Sequence, residues 1–507
     1  MVGAHWFTLH WNLAGGARGA PLPAIVFGAL IIVGMTMTYS FTGAAGSGGA
    51  AQVWMGILTG AQGVFLLLLA PGAVRKAVLR DFQAGMMESH RLTPQSSLQL
   101  VLSYIFASPL GTFLLYGMTI PLMLLLLLTA SSVPNLRNLF TGWLFLQIFL
   151  AFMSFSISSI MLLISLATQG KANVAGGLVL GTIFGGWMLV SIVPGLAVLL
   201  GFATFGLLQA IVRRDSMSVT LTTDPFLRWV PLLTVLLQFA LACICVAAAC
   251  RKIRRPEEPT FGVYHGSLLL LTLCCATIVG VPASPLLSWI RDGDVAREVE
   301  LIASLVALLV VALIPTFAAA TTRGALDLRR PHLPAEALRG AGWFNLAPLP
   351  AALAITLTFV IVLIVISPRM SGDYAVLLQG PTRLALIAAS AAALLTSAYQ
   401  WSYLATFREK KIFRAVAGTI ILLLVLPVAI DLVLVLPDNP PETFRAFAAS
   451  LTIAALSPIG TFMMVSAGGS LQAAAIGVGV QVAAAAALAG AAGAALRRGN
   501  ARVPTPA

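Results

Sequence analysis

Apolar length constrains this chain more than any other feature. Runs such as AAAIGVGVQVAAAAALAGAAGAAL at 473–496 exceed the roughly 20 residues that an α-helix needs to cross about 30 Å of hydrocarbon. Spans are expected near 22–41, 52–72, 101–129, 142–165, 175–199 and 229–250. A second series follows near 264–286, 300–321, 346–367, 384–405, 413–436 and 470–496, with shorter apolar pieces at 201–212 and 446–466. Backbone polar groups in hydrocarbon must be satisfied internally, which selects helices here. The expected fold class is therefore all-α: a polytopic helical membrane bundle of about twelve transmembrane helices in two six-helix repeats. Composition agrees, with 59% hydrophobic and 9% charged residues, against about 25% charged in soluble domains. The first run follows a single basic residue, Arg18, and its length favours a retained helix over a cleaved signal peptide.

The net charge of +13 is carried by short Lys and Arg clusters between spans, a pattern of membrane orientation rather than of a nucleic-acid partner. An inner N-terminus puts 21 of the 30 Lys and Arg residues on the cytoplasmic side: Arg18, the 75–91 cluster, Lys171, 251–255, 323–339, 408–414 and 497–502. Both termini are then cytoplasmic, in a cell (inner or plasma) membrane. Asp292, Asp294, Glu298, Glu300, Asp438 and Glu442 fall outside.

One helix over 176–212 would run about 55 Å, so a break is expected near Pro194-Gly195 or Gly201, leaving 201–212 short and outer. The same plan recurs in each half: a basic loop between spans two and three, a basic turn between four and five, an outer apolar piece, then a sixth span with a basic tail. The turns share wording, LATQGKANVAG at 166–176 and LATFREKKIFRAVAG at 404–418. Repeats of this kind suggest a pathway at their interface. RKIRRPEEPTFG at 251–262 is the expected joint between a first domain, 1–258, and a second, 259–507.

Between spans two and three lies RKAVLRDFQAGMMESHRLTPQS at 75–96. Pro71-Gly72 is expected to end the second span. Leu79, Phe82 and Met86, with Met87 beside them, recur at roughly helical spacing while Arg75, Lys76, Arg80, Asp81 and Glu88 take other faces, which predicts a short amphipathic helix at the interface. Thr93 and Pro94 read as the cap and first residue of the next helix. Such a helix serves either as an anchor to anionic membrane lipid or as a docking element for a cytoplasmic partner.

The arrangement of span, RDFQAGMMESHRLTPQSSLQL and span resembles the permease subunits of type-2 ABC exporters, the ABC-2 type transporter permease family, whose members place a similar acid, Gly, Glu and LTP pattern in this loop. The similarity is best over 51–130. The small-residue-rich fifth span, outer piece and basic tail within 142–258 resemble the rest of that domain. Ser103-Tyr104 departs from it where many members carry Gly-Lys. In the second half, TRGALDLRRPHLPAEALRGAGW at 322–343 matches the first loop in position and charge only.

The resemblance implies a transport subunit without its own ATPase, joined to a cytoplasmic ABC ATPase subunit that binds ATP and Mg; no cofactor is expected on this chain. It implies a coupling helix in which Arg75, Lys76, Arg80, Asp81, Glu88 and Arg91 meet partner charges while Phe82 and Met86 anchor it. Arg323, Arg329, Arg330 and Arg339 would form a second docking loop. Whether one chain supplies both halves of the pathway or two copies pair as a homodimer stays open. A Walker A pattern is absent: the one Gly-Lys pair, Gly170-Lys171, precedes Ala172.

The rival class is an ion-coupled carrier, which needs acids inside the bundle. Of 17 Asp and Glu residues, only Asp431 in LPVAIDLVLVLPDN lies within an apolar run. It either reaches the outer interface or, with Pro427 one turn earlier, makes a polar spot on the pathway. No His, Asp or Glu cluster offers metal binding or acid–base chemistry within the spans, and Cys243, Cys245, Cys250, Cys274 and Cys275 read as packing residues. Gly177, Gly181 and Gly185, like the Ala- and Gly-rich last span, read first as close-packing faces.

Overall fold

The computed structural model describes residues 28–29, 31–36, 47–92, 96–129, 136–168, 225–256, 260–261, 263–283, 309, 312–313, 316–317, 320, 353–358, 360–361, 380–407, 426–435, 449–450 and 452–501. Every regular element among them is helical. They fall into two compact units, one formed by the described residues up to Pro256 and the other by those from Thr260 onward.

In the first unit, α1 (Ser47–Gly63) runs through a π-helical turn (Val64–Leu69) into α2 (Ala70–Gln83). Next come α3 (Met86–Leu92), α4 (Ser97–Phe106), α5 (Leu110–Thr129), α6 (Leu136–Ala167) and α7 (Pro225–Arg254). Pro71-Gly72 does not end the second span. Proline inside an α-helix removes one N–H and clashes with the carbonyl four residues back; here the helix widens just before it, and Ala70 N–H reaches back to Phe65 O. In that five-residue register the N–H that Pro71 lacks would have met Leu66 O. Ser154 Oγ of α6 donates to that carbonyl instead, at 2.8 Å. The helix therefore continues for 30 residues, Trp54–Gln83.

Serines serve two sides of α6, Ser154 facing the second span and Ser156 facing α7. Ser156 Oγ donates to Gln238 O of α7 at 2.7 Å, and Phe152 meets Phe239 edge-on at 5.9 Å. α4 and α5 bend by 50° at Ala107–Pro109, where Pro109 again lacks an N–H. The α4 cap is Ser96, whose hydroxyl accepts from Gln99 N while Gln99 Oε1 accepts from Ser96 N. The helix thus starts three residues beyond the expected Thr93-Pro94, which lie outside the described residues.

In the second unit, α8 (Val263–Ala283) precedes α9 (Pro381–Phe407), which packs lengthwise on α12 (Leu471–Ala501). Small side chains, among them Ala391, Ala398, Ala474, Ala485 and Ala492, are buried in these helices, as close packing in a membrane bundle requires. Between them come α10 (Leu426–Val435), a 3₁₀ turn (Ile453–Leu456) and α11 (Pro458–Ser466). The 446–466 piece is thus not one helix: α11 has 9 residues, about 14 Å, too short to cross.

Among the described residues five helices are long and apolar enough to cross a membrane, or six if the bent α4–α5 pair is one span. The described residues are therefore all-α with several candidate membrane spans, and the expected twelve in two repeats are not established by them. Spans 22–41, 300–321, 346–367 and 413–436 lie partly, and 175–199 and the piece 201–212 wholly, outside the described residues, as do Gly177 and Gly181. The expected span at 264–286 is α8, whose apolar stretch Tyr264–Val279 is shorter than a span. The five cysteines are unpaired thiols.

Candidate functional site

The first part of the basic segment, residues 75–83, is the end of the second span rather than a separate interfacial helix, and α3 follows it after a turn. A helix of 30 residues is about 45 Å long, so a hydrocarbon layer of about 30 Å leaves several turns beyond it; the charges assign those turns to the C-terminal end. Val74, Ala77, Val78 and Asp81 recur at i, i+3, i+4 and i+7 and are all buried, on a helix that packs against α6 and α4. Lys76 and Arg80 are exposed, and Arg75, Leu79 and Phe82 are half-buried. Gly85 then turns the chain with φ +67°, a region that costs a side-chain-bearing residue about 1–2 kcal/mol. In α3, Met86 and Glu88 are exposed and Met87 is buried; Arg91 lies in the last turn.

Asp81 does not face outward with the other charges. It is 3% exposed, and its Oδ2 accepts a hydrogen bond from the Tyr104 hydroxyl of α4. Met87 Sδ lies 3.8 Å from the same hydroxyl, and Arg80 Nε stands 3.9 Å from Asp81 Oδ1. A buried carboxylate is tolerable only when hydrogen-bonded or paired, and the bond it makes joins the basic segment to the first helix of the next span. The outward set is thus Lys76, Arg80, Met86 and Glu88, with Arg75 and Phe82 at its edge.

α7 ends beside it. Its last turn carries Arg251, Lys252 and Arg254, and the helix packs against α3 and α4. Arg254 and Arg255 are exposed, Lys252 buried. Sequence reading used these residues only for orientation and treated Tyr104 only as a departure. The signal for Tyr104 was indirect: the expected apolar face ran through Leu79, Phe82 and Met86 with Asp81 on another, whereas the buried face runs through Val74, Ala77, Val78 and Asp81. The second basic loop, with Arg323, Arg329, Arg330 and Arg339, lies outside the described residues.

Asp431 sits far from this segment in sequence, in α10. It is 1% exposed, and its Oδ2 accepts from Thr452 N at 2.8 Å and Ala454 N at 2.6 Å. It therefore holds the N–H groups opened where the chain leaves helical geometry before Ile453. The carbonyl side of the same break is met from α12 and α11: Gln481 Nε2 donates to Ala455 O at 2.9 Å and Thr461 Oγ1 to the same oxygen at 2.9 Å, while Ser390 Oγ donates to Gln481 Oε1 at 2.6 Å. Gly477 and Gly460 admit this backbone, since a Cβ on Gly477 would stand 2.1 Å from Ala455 O and one on Gly460 1.9 Å from Ala454 O. Irregular backbone at membrane depth is tolerated where protein satisfies it in this way.

Comparison of the chain with protein-family models, with curated proteins and with solved structures finds no match.

Proposed function

We propose that this chain is the membrane-spanning permease of an ATP-driven exporter, powered by a separate cytoplasmic ATPase subunit. In this reading both units belong to a tandem six-plus-six bundle in the cell membrane with cytoplasmic termini, and residues 75–92 are the element on which the ATPase acts. The supporting observation is mechanical: residues 75–83 continue the second span without a joint, and the Asp81–Tyr104 bond ties them to the next. Force applied to Lys76 and Arg80 would then reach two spans at once, with Met86 and Glu88 following on α3 after the Gly85 turn. An element that only rested on lipid would need no such tie.

Affinity purification of the full chain in mild detergent tests this. Recovery of a polypeptide with a Walker motif and ATP hydrolysis is the expected result. ATP-independent uptake into vesicles driven by a pH gradient would instead favour the second reading, an ion-coupled carrier with Asp431 on its pathway. That reading draws on one observation, the burial of Asp431 beside a broken helix, since intramembrane acids commonly mark ion routes. Both Asp431 contacts are to backbone N–H groups, which favours the scaffolding role and keeps the carrier second.

A further inference from the structure

Pro71 and Pro109 both interrupt helices of the first unit, and a serine bears on each. At Pro71 the helix carries on, and Ser154 Oγ of α6 donates at 2.8 Å to Leu66 O, the carbonyl that the proline leaves without its donor. At Pro109 the helix breaks, and α4 and α5 diverge by 50°. A continuous helix through Pro109 would leave Ile105 O without a donor, since proline has no N–H to give it, and would press the ring on that carbonyl. Ser108 stands three residues after Ile105. From that position in a helix a serine hydroxyl reaches back to the carbonyl of the preceding turn, so the chain carries the donor that a continuous helix needs there.

In the bent conformation that donor is idle. Ser108 Oγ is shut off from solvent and has no hydrogen-bond partner among the described residues. The chain turns instead through Ala107 N–H to Ser103 O at 2.8 Å and Leu110 N–H to Ala107 O at 3.3 Å, and α5 resumes with Phe113 N–H on Pro109 O at 3.0 Å. A buried hydroxyl left unpaired disfavours the conformation that leaves it so, while the proline clash disfavours the continuous one. These opposing penalties at neighbouring residues bring the two conformations closer in free energy. Just before the break, Phe106 stacks on Phe155 of α6 with ring centroids 5.7 Å apart, and Tyr104 makes its bond to Asp81. α4 is thus fastened on the near side of the break, and a change at 107–109 alters the angle at which α5 leaves it.

We infer that Ala107–Pro109 is a two-state hinge: the bent state, and a continuous, proline-kinked helix in which Ser108 Oγ donates to Ile105 O. Switching it re-aims α5 against the helices that Asp81 and Tyr104 hold together. The inference deepens the exporter reading and rests on it only for what drives the switch: a push received at Lys76 and Arg80 would arrive at Tyr104, five residues before Pro109.

The test is fluorine NMR of the purified full chain in detergent, with para-fluorophenylalanine incorporated at position 106, where the stacked ring reports on the adjoining break. Two resonances, or one broadened by exchange between them, are expected. Ser108→Ala removes the donor that only the continuous state uses and should lower the ratio of continuous to bent about fivefold, the size of one hydrogen bond. Pro109→Ala supplies the missing N–H, removes the clash and should raise that ratio about tenfold or more, with thermal melts confirming that each variant is folded. A single sharp resonance that Pro109→Ala does not move, or populations that Ser108→Ala leaves unchanged, would overturn the hinge. Two states in a chain that recovers no ATPase uphold the hinge and remove the exporter; an ATPase recovered with one unmoved resonance does the reverse.

Discussion

Asp81 puts a carboxylate on a helix face that otherwise carries Val74, Ala77 and Val78, and the Tyr104 hydroxyl offsets its burial. Tyr104→Phe removes that donor with little change of volume and should destabilise the first unit by about 1.5–3 kcal/mol, the range for a hydrogen bond to a charged group, read as a lower melting temperature. In a double-mutant cycle with Asp81→Leu the losses should fall short of the sum, because the two side chains share one interaction. Asp431 invites a sharper comparison. Asp431→Ala frees two backbone N–H groups at the 452–454 break and should cost about 1–3 kcal/mol for each one left unmet. Asp431→Asn keeps an acceptor oxygen and should melt close to wild type with transport intact. A folded Asp431→Asn chain that has lost pH-driven uptake would instead establish the carrier. These two acids show how far residue-level reading reaches: an apolar face drawn through Leu79, Phe82 and Met86 left Asp81 outside, although the buried face runs through Val74, Ala77 and Val78, and the residues that hold Asp431 lie 21 and 23 positions away, beyond any local pattern.

Elements were legible where length and hydropathy alone decide them, as in α6, α7, α9 and α12. They were misread where a side chain from elsewhere changes a local rule. Pro71-Gly72 has the appearance of a stop, yet the π-helical turn and Ser154 carry the helix past it, so a span and a separate amphipathic helix became one rod. Ser154→Ala should therefore loosen the rod at Val64–Leu69 and increase amide hydrogen exchange of 64–71 several-fold, consistent with the loss of one bond of about 1 kcal/mol. Unchanged exchange would mean that the widened turn needs no donor. The Ser96–Gln99 capping pair was readable in the sequence and was passed over for Thr93-Pro94. The break before α11 was not readable, because its stability comes from Gly477 and Gln481 on α12. Gly477→Leu should push α12 off the Ala455 carbonyl and lower the yield of folded protein, whereas Gly479→Leu, with open space around its position, should be tolerated.

For the whole molecule, the charge pattern and the end of α7 converge on one surface: Lys76 and Arg80 on the extended rod, Met86 and Glu88 on α3 beyond the Gly85 turn, with Arg254 and Arg255 on a helix that packs against α3 and α4. Composition alone gave the membrane class and the clustering of basic residues. It could not tell an outward charge from an inward one, which is why Asp81 was grouped with the docking residues. The central claim is that this surface receives an ATPase. The measurement is the ATP hydrolysis recovered per mole of affinity-purified chain, compared between wild type and the Lys76→Glu, Arg80→Glu double variant, both positions exposed, with a thermal melt to confirm folding because Arg80 also stands 3.9 Å from Asp81. A fall of about tenfold or more is expected, as for two charged contacts reversed at an interface. Equal activity with both chains, or none with either, would contradict the account.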